Sequence, residues 1–239
     1  MHSFVQDTTD FIRKLEIMGD ILDGSLMCTM DVNSLYTSIP HEEGIEAVFG
    51  AMQDMDMSEA YRGLLVDFLS LVLYKNYFIF DGKYYLQIQG TAMGSNVAMT
   101  YANLFMAAFE DAFVYRDQDF THHVRLWLRY IDDIFFFWTG NMDDLMVFKE
   151  RLDGCLDTIS YTLEYDLHEM HFLDVNLQRH KSLRDHLMKN VNLQGKTHTA
   201  ETWLSAIPDW SYSGHLDHGT CGVRVLEHIE SIRMYHHTR

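Results

Sequence analysis

The sequence predicts an α+β chain, an antiparallel sheet with helices packed on one face, and two observations carry that expectation. First, Leu126-Trp127-Leu128 leads into Tyr130-Ile131-Asp132-Asp133, and Ile134-Phe135-Phe136-Phe137-Trp138 leads out. Both flanks are rich in the aromatic and branched residues that favour strands, so two strands joined by a tight turn carrying Asp132 and Asp133 are expected. Second, short strand-like runs alternate with longer segments of helical spacing, and only Pro40 and Pro208 interrupt the 239 residues. That order fits a sheet covered by helices better than a bundle or a sandwich.

The elements follow in order. Residues 25–32, Ser-Leu-Met-Cys-Thr-Met-Asp-Val, read as a short buried strand with Asp31 near its C-terminal end. Residues 33–39 leave the strand, and Pro40-His41-Glu42-Glu43 opens a helix. Proline in a first turn followed by acids suits the positive end of the helix dipole. Helices are expected near 41–57 and 59–75. In the second, Leu64, Leu65, Phe68, Leu69 and Val72 recur at helical spacing and are assigned to the core. Met52, Met55 and Met57 read as gap-filling or surface side chains.

Phe78-Ile79-Phe80 and Tyr84-Tyr85-Leu86 flank Asp81-Gly82, a strong hairpin signal. The hairpin feeds a glycine-punctuated loop, Gln87-Ile88-Gln89-Gly90-Thr91-Ala92-Met93-Gly94-Ser95-Asn96, and then a helix near 96–115. Glycines let backbone amides come close to a polyanion or a base. This is no Walker loop, because Gly-Lys-Ser/Thr is absent. A helix over 141–157 and strands near 160–166 and 171–178 complete the order.

Asp132 and Asp133, side by side in an apolar run, repel each other and lose hydration. A hard divalent cation in front of them relieves both costs, and an acidic hairpin tip facing water is the plain alternative. Asp31 is a further carboxylate at a strand end, or a turn residue.

These pieces in this order resemble the reverse transcriptase palm of Penelope-like retroelements. The strings that carry the resemblance are Asp31-Val-Asn-Ser-Leu-Tyr-Thr-Ser-Ile-Pro40, Gln89-Gly-Thr-Ala-Met-Gly-Ser95 with Tyr101-Ala-Asn-Leu-Phe-Met106, Arg129-Tyr-Ile-Asp-Asp133, and His171-Phe-Leu-Asp-Val175. The match covers about residues 7–179. It implies a polymerase palm-like sheet with partial fingers in residues 1–180, followed by a divergent tail over 181–239. It also implies RNA-directed DNA synthesis, in which a primer 3′-hydroxyl attacks a deoxynucleoside triphosphate with two Mg²⁺ (or Mn²⁺) ions at the site.

By the same resemblance, Asp31 and Asp132 are the principal metal ligands, Asp133 shares or tunes the site, and the Val32 carbonyl is an extra ligand. Tyr36 corresponds to the aromatic gate that excludes a 2′-hydroxyl. Gln89 and Gly90 lie against the nascent base pair, and Tyr130 shapes the floor beside the carboxylates. Phe172-Leu173-Asp174 corresponds to the segment gripping the primer. Lys149, with Arg151 nearby, is the candidate general acid for the leaving pyrophosphate. The implied partners are an RNA or DNA template-primer and dNTPs.

Other features pull the other way. The net charge is −17, awkward for a protein that meets phosphates. Residues 1–80 and 81–180 each carry −9, and residues 181–239 carry +1. Met99-Thr100 stands where the family usually has proline, and the family's Lys-Pro-Thr stretch and later Arg-rich segment are not found after His180. The chain therefore reads as a truncated copy entering at the fingers–palm junction, whose missing fingers and endonuclease segments a fuller copy would supply. A catalytically inactive remnant that binds nucleic acid or protein is the competing function.

In the tail, His215, His218 and Cys221 have ligand-like spacing but no fourth ligand. Three cysteines without regular spacing fit a reducing compartment. No apolar run is long enough to cross a bilayer, so no membrane partner is expected. An intracellular place is expected, the nucleus by resemblance.

Overall fold

A computed structural model describes residues 3–18, 21, 24–53 and 55–179, and the backbone of 187–193 and 196–199. The elements are α1 (Thr8–Met18), β1 (Leu26–Val32), the single turn α2 (Leu35–Ser38), α3 (His41–Ala51), α4 (Glu59–Tyr74), β2 (Tyr77–Phe80), β3 (Lys83–Leu86) and α5 (Ala98–Phe109). There follow β4 (Val124–Tyr130), β5 (Asp133–Trp138), α6 (Met142–Asp153), β6 (Tyr161–Asp166), β7 (Glu169–Phe172), β8 (Val175–Arg179), β9 (Leu187–Leu193) and β10 (Lys196–Thr199). Sheet orders are β4-β5-β1-β6, β10-β9-β8-β7 and β2-β3. The pairs β1–β5, β4–β5, β2–β3, β7–β8, β8–β9 and β9–β10 are antiparallel. The chain is thus α+β, as its sequence predicts, and it forms two units.

One unit holds α1, most of β1, β4, β5, the start of α6, and β7–β8. β1 and β5 pair from Leu26 with Trp138 to Asp31 with Asp133. Alternation sends Met27, Phe135 and Phe137 to one face, where Phe11 and Leu15 of α1 and Met170, Phe172, Val175 and Leu177 of the β7–β8 hairpin complete a core. Phe11 meets Phe135 edge-on at 5.2 Å and lies 4.7 Å from Phe172. Trp127, Phe136 and Trp138 take the other face, and Phe148 of α6 stacks on Trp138 at 5.5 Å. Covering both faces explains why Ile134 to Trp138 are all buried and why the run lacks polar alternation.

Asn141 starts α6. Its side-chain oxygen accepts from the Asp144 amide at 2.7 Å, and its amide donates to the Asp144 carboxylate at 2.8 Å, a reciprocal cap.

The other unit contains α2 to α5 and the β2–β3 hairpin. α3 presses on α5 at Gly44, where a Cβ would lie 1.9 Å from the Tyr101 hydroxyl. The hairpin turns on Asp81 and Gly82, at φ 49° and 70°, as its Asp-Gly signal requires. α5 continues into one wide π turn, Glu110–Val114, within the helix expected near 96–115.

Several expectations need correction. The helix from 41 stops at Ala51, not near 57. α6 stops at Asp153, with Gly154 following, the usual residue beyond a helix end. The single strand near 171–178 is two strands, β7 and β8, broken at Leu173-Asp174. Finally, Leu69 and Leu73 form the buried stripe of α4, whereas Leu64, Phe68 and Val72 are exposed. α4 is apolar nearly all round, so periodicity had little polar contrast with which to choose its inner face.

Candidate active site

Within the first unit, pairing sets the carboxylates. Asp31 and Asp133 are cross-strand partners, which places their side chains on one face, about 5 Å apart at Cβ by ladder geometry. Alternation makes it the face of Met27 and Phe135. Tyr130 also pairs with Asp133, so the two-residue turn is Ile131-Asp132. Asp133 begins β5 instead of sitting in the turn. Asp31 and Asp133 are exposed, and Asp132 and Tyr130 are half-buried.

Ile131 has φ 58°, a left-handed conformation that costs a β-branched residue about 1–2 kcal/mol. Arg129, fully buried, donates from Nη1 to the Ile131 carbonyl at 3.0 Å. Its own backbone is pinned by residues near the N-terminus. The Arg129 amide donates to Ser3 at 2.7 Å, and its carbonyl accepts from Val5 at 2.8 Å. Sequence reasoning missed Arg129 as a support for the turn. The available signal was a cation directly after the apolar Leu126-Trp127-Leu128 and directly before the turn.

The donor set suits a hard divalent ion. It is all carboxylate oxygen, and like charges placed opposite each other in a ladder are costly unless neutralised. Among the described residues no three His, Cys, Asp or Glu side chains close a metal cage by themselves.

Within the second unit, the glycine loop is clamped to the segment following Asp31. The Gly90 amide donates to Ile39 at 2.8 Å and the Thr91 amide to Tyr36 at 2.6 Å. Gln89 Nε2 donates to the Ser38 carbonyl at 2.8 Å, so its amide nitrogen positions the loop. Gly90 has φ 74°, and a Cβ there would lie 2.4 Å from the Tyr36 oxygen and 2.5 Å from the Thr37 Cα. Tyr36 is a half-buried residue of α2. Upstream, the Gln87 amide donates to the Asn76 carbonyl at 2.9 Å and its Nε2 to the Gln89 carbonyl at 3.0 Å.

His41 is the other residue that sequence reasoning missed here. Its buried ring lies edge-on to Tyr74 at 4.9 Å, and Nε2 is 2.8 Å from the Gly90 carbonyl. A carbonyl only accepts, so Nε2 carries the proton, and the buried Nδ1 has no hydrogen-bond partner among the described residues. Burial, partly offset by the Gly90 bond, holds the imidazole below its ordinary 6.5. A histidine kept neutral by the fold contributes stability that is complete above the unfolded value. That contribution is lost as pH falls from about 6.5 through the lower folded value. Thermal melts should therefore lose stability on acidification below about pH 6.5, and His41→Gln should flatten that slope.

The remaining candidates divide between core and surface. Phe172 belongs to the core, Leu173 packs against it at φ 51°, and Asp174 is exposed, accepting from Thr8 Oγ1 at 3.3 Å. Val32 is buried at the end of β1, and Lys149 is half-buried on α6. His215, His218 and Cys221 lie outside the described residues.

No family model and no curated protein matches the chain. Solved structures do. Telomerase from Candida albicans, in complex with a TWJ fragment of telomeric RNA, superposes with a TM-score of 0.63 at 10% identity, over 80% of this chain and 36% of that one. Apo telomerase from Candida tropicalis gives 0.59 at 14% identity, over 74% and 36%. An insertion-loop deletion mutant of the RNA-dependent RNA polymerase of a human picobirnavirus gives 0.54 at 11%, over 72% and 34%. The chain spans about a third of the length of these proteins, and it has a polymerase palm-like fold.

Proposed function

We propose that this palm-like fold is the polymerase domain of a reverse transcriptase of the Penelope-like kind. It would extend a primer 3′-hydroxyl with dNTPs on an RNA template. One observation carries the reading: the β1–β5 register sets Asp31 level with Asp133, with Asp132 in the adjoining turn. Asp31, Asp132 and Asp133, with the Val32 carbonyl, would hold Mg²⁺ or Mn²⁺. Such ions supply positive charge where the attacking and leaving oxygens become negative.

The chain's own residues do the rest. Tyr36 takes the place of the ring under the incoming ribose and excludes a 2′-hydroxyl. Gln89 and Gly90 form the wall behind the base pair, and Tyr130 forms the floor. The turn at Leu173-Asp174 presents backbone to the primer, and Lys149 is the proton donor to pyrophosphate. Candida albicans telomerase was captured with RNA, which supports a nucleic-acid partner here. Nuclear residence follows from the same reading.

The test is extension of a DNA primer on an RNA template at low salt, with Mg²⁺ or Mn²⁺, because a chain of −17 has little electrostatic grip. The parent should extend, and Asp132→Ala/Asp133→Ala should lose at least about 100-fold, the scale of removing a major transition-state charge stabiliser. A folded parent that does not extend would sink the reading and leave a remnant that at most binds.

A further inference from the structure

We propose that the β2–β3 hairpin is a stacking platform for single-stranded nucleic acid, engaging unpaired template bases; the template role rests on the polymerase reading above. The register pairs Tyr77 with Leu86 and Ile79 with Tyr84, so these four share one face. They are 63%, 39%, 60% and 64% exposed, respectively. The Tyr77 and Tyr84 rings lie 5.8 Å apart. On the opposite face Phe78 stacks on Tyr85 at 5.6 Å, stiffening the ribbon that presents them. An exposed aromatic face of this extent marks a binding surface.

Charge selects the occupant. Residues 68–109 contain one acid, Asp81, and two cations, Lys75 and Lys83, in a chain whose net charge is −17. Both lysines are exposed, one just before β2 and one opening β3. Lys75 precedes the exposed Tyr77, and Lys83, opposite Phe80 on the other face of the ribbon, lies near its tip, so from 75 to 87 the hairpin offers a polyanion two cations against one acid. Every base has a π face, so stacking on tyrosine needs no sequence and little charge. An acidic protein can thereby hold a nucleic acid without a basic groove. The hairpin is also continuous with the loop assigned to the base pair. Its base is closed by Asn76 and Gln87, and Gln87 bonds onward to Gln89.

The experiment measures fluorescence anisotropy of labelled oligouridylate and oligothymidylate with the full chain across a salt series, alongside thermal melts. Tyr77→Ala/Tyr84→Ala should weaken binding by about tenfold or more, while Tyr77→Phe/Tyr84→Phe keeps it. The alanine pair should leave the dependence of affinity on salt unchanged. Lys75→Ala/Lys83→Ala should make that log–log slope shallower by about 1.4.

RNA and DNA should bind within a few-fold of each other. A strict requirement for RNA would mean 2′-hydroxyl readout and would overturn stacking. Parent-like binding by a folded alanine variant, or no binding by the parent, would also overturn the proposal. So would a parent dimer that the alanine pair dissociates without changing oligonucleotide affinity, since the face would then join two copies. Asp132→Ala/Asp133→Ala should still bind both oligonucleotides. Tyrosine-dependent binding by a parent that extends no primer supports the platform and removes the polymerase.

Discussion

Gly90→Ala should cost about 3 kcal/mol or more, read as a lowered midpoint in thermal or urea unfolding. Two penalties add. The residue sits at φ 74°, and its Cβ would fall 2.4 Å from the Tyr36 oxygen, 2.5 Å from the Thr37 Cα and 2.7 Å from the Thr37 carbonyl carbon. The left-handed backbone alone costs alanine about 1–2 kcal/mol. The contacts are with backbone, which no rotamer change relieves, so overpacking adds about 1–3 kcal/mol. Gly94 separates the two effects, because it has φ 89° but no atom of the described residues within 4 Å of its Cβ. Gly94→Ala should cost only the backbone share. Equal losses at the two positions would show that the clamp between the glycine loop and residues 36–41 contributes little. In the polymerase reading, Gly90→Ala should also raise KM for dNTPs, because the Ile39, Tyr36 and His41 bonds that hold the loop are displaced together.

The parts of this fold legible in the sequence are those whose cause is local. Asp81-Gly82 forces its own turn, and Pro40-His41-Glu42-Glu43 opens α3 as expected. The aromatic run ending at Trp138 is a strand whichever face is covered. What failed depends on partners distant in sequence. The inner face of α4 is chosen by what α3 and the rest of its unit offer, and the choice fell on Leu69 and Leu73. The turn at Ile131 moved by one residue because Tyr130 pairs with Asp133, a register that composition does not encode. His41 acquires its role only from a carbonyl 49 residues away. Phe172 lies within a matched string, yet its side chain is needed by the core. The resemblance supplied the proposed site residues, while the residues that hold those strings in place emerged from contacts.

Arg129→Met is the second substitution with a large expected effect. Methionine keeps much of the apolar bulk but cannot donate to the Ile131 carbonyl, and a lost buried hydrogen bond from a charged group costs about 1.5–3 kcal/mol. The turn bearing Asp132 is held in a conformation that isoleucine adopts reluctantly, so loss of the donor lets Ile131 relax toward negative φ and displaces Asp132 from its place next to Asp133. In the polymerase reading, extension should then fall in kcat by tenfold or more with little change in KM for dNTP, because Tyr36, Gln89 and Gly90 belong to a separate clamp. Arg129→Lys should recover part of the rate, retaining a charge and a donor without the planar fork. Adding Ile131→Gly to Arg129→Met should restore stability beyond the sum of the single effects. Glycine accepts φ near 58° without a Cβ, so the turn no longer needs the guanidinium. Strict additivity in that double-mutant cycle would mean that Arg129 supports the strand and not the turn. A parent-like kcat in Arg129→Met would mean that the carboxylates hold their places through the β1–β5 register alone.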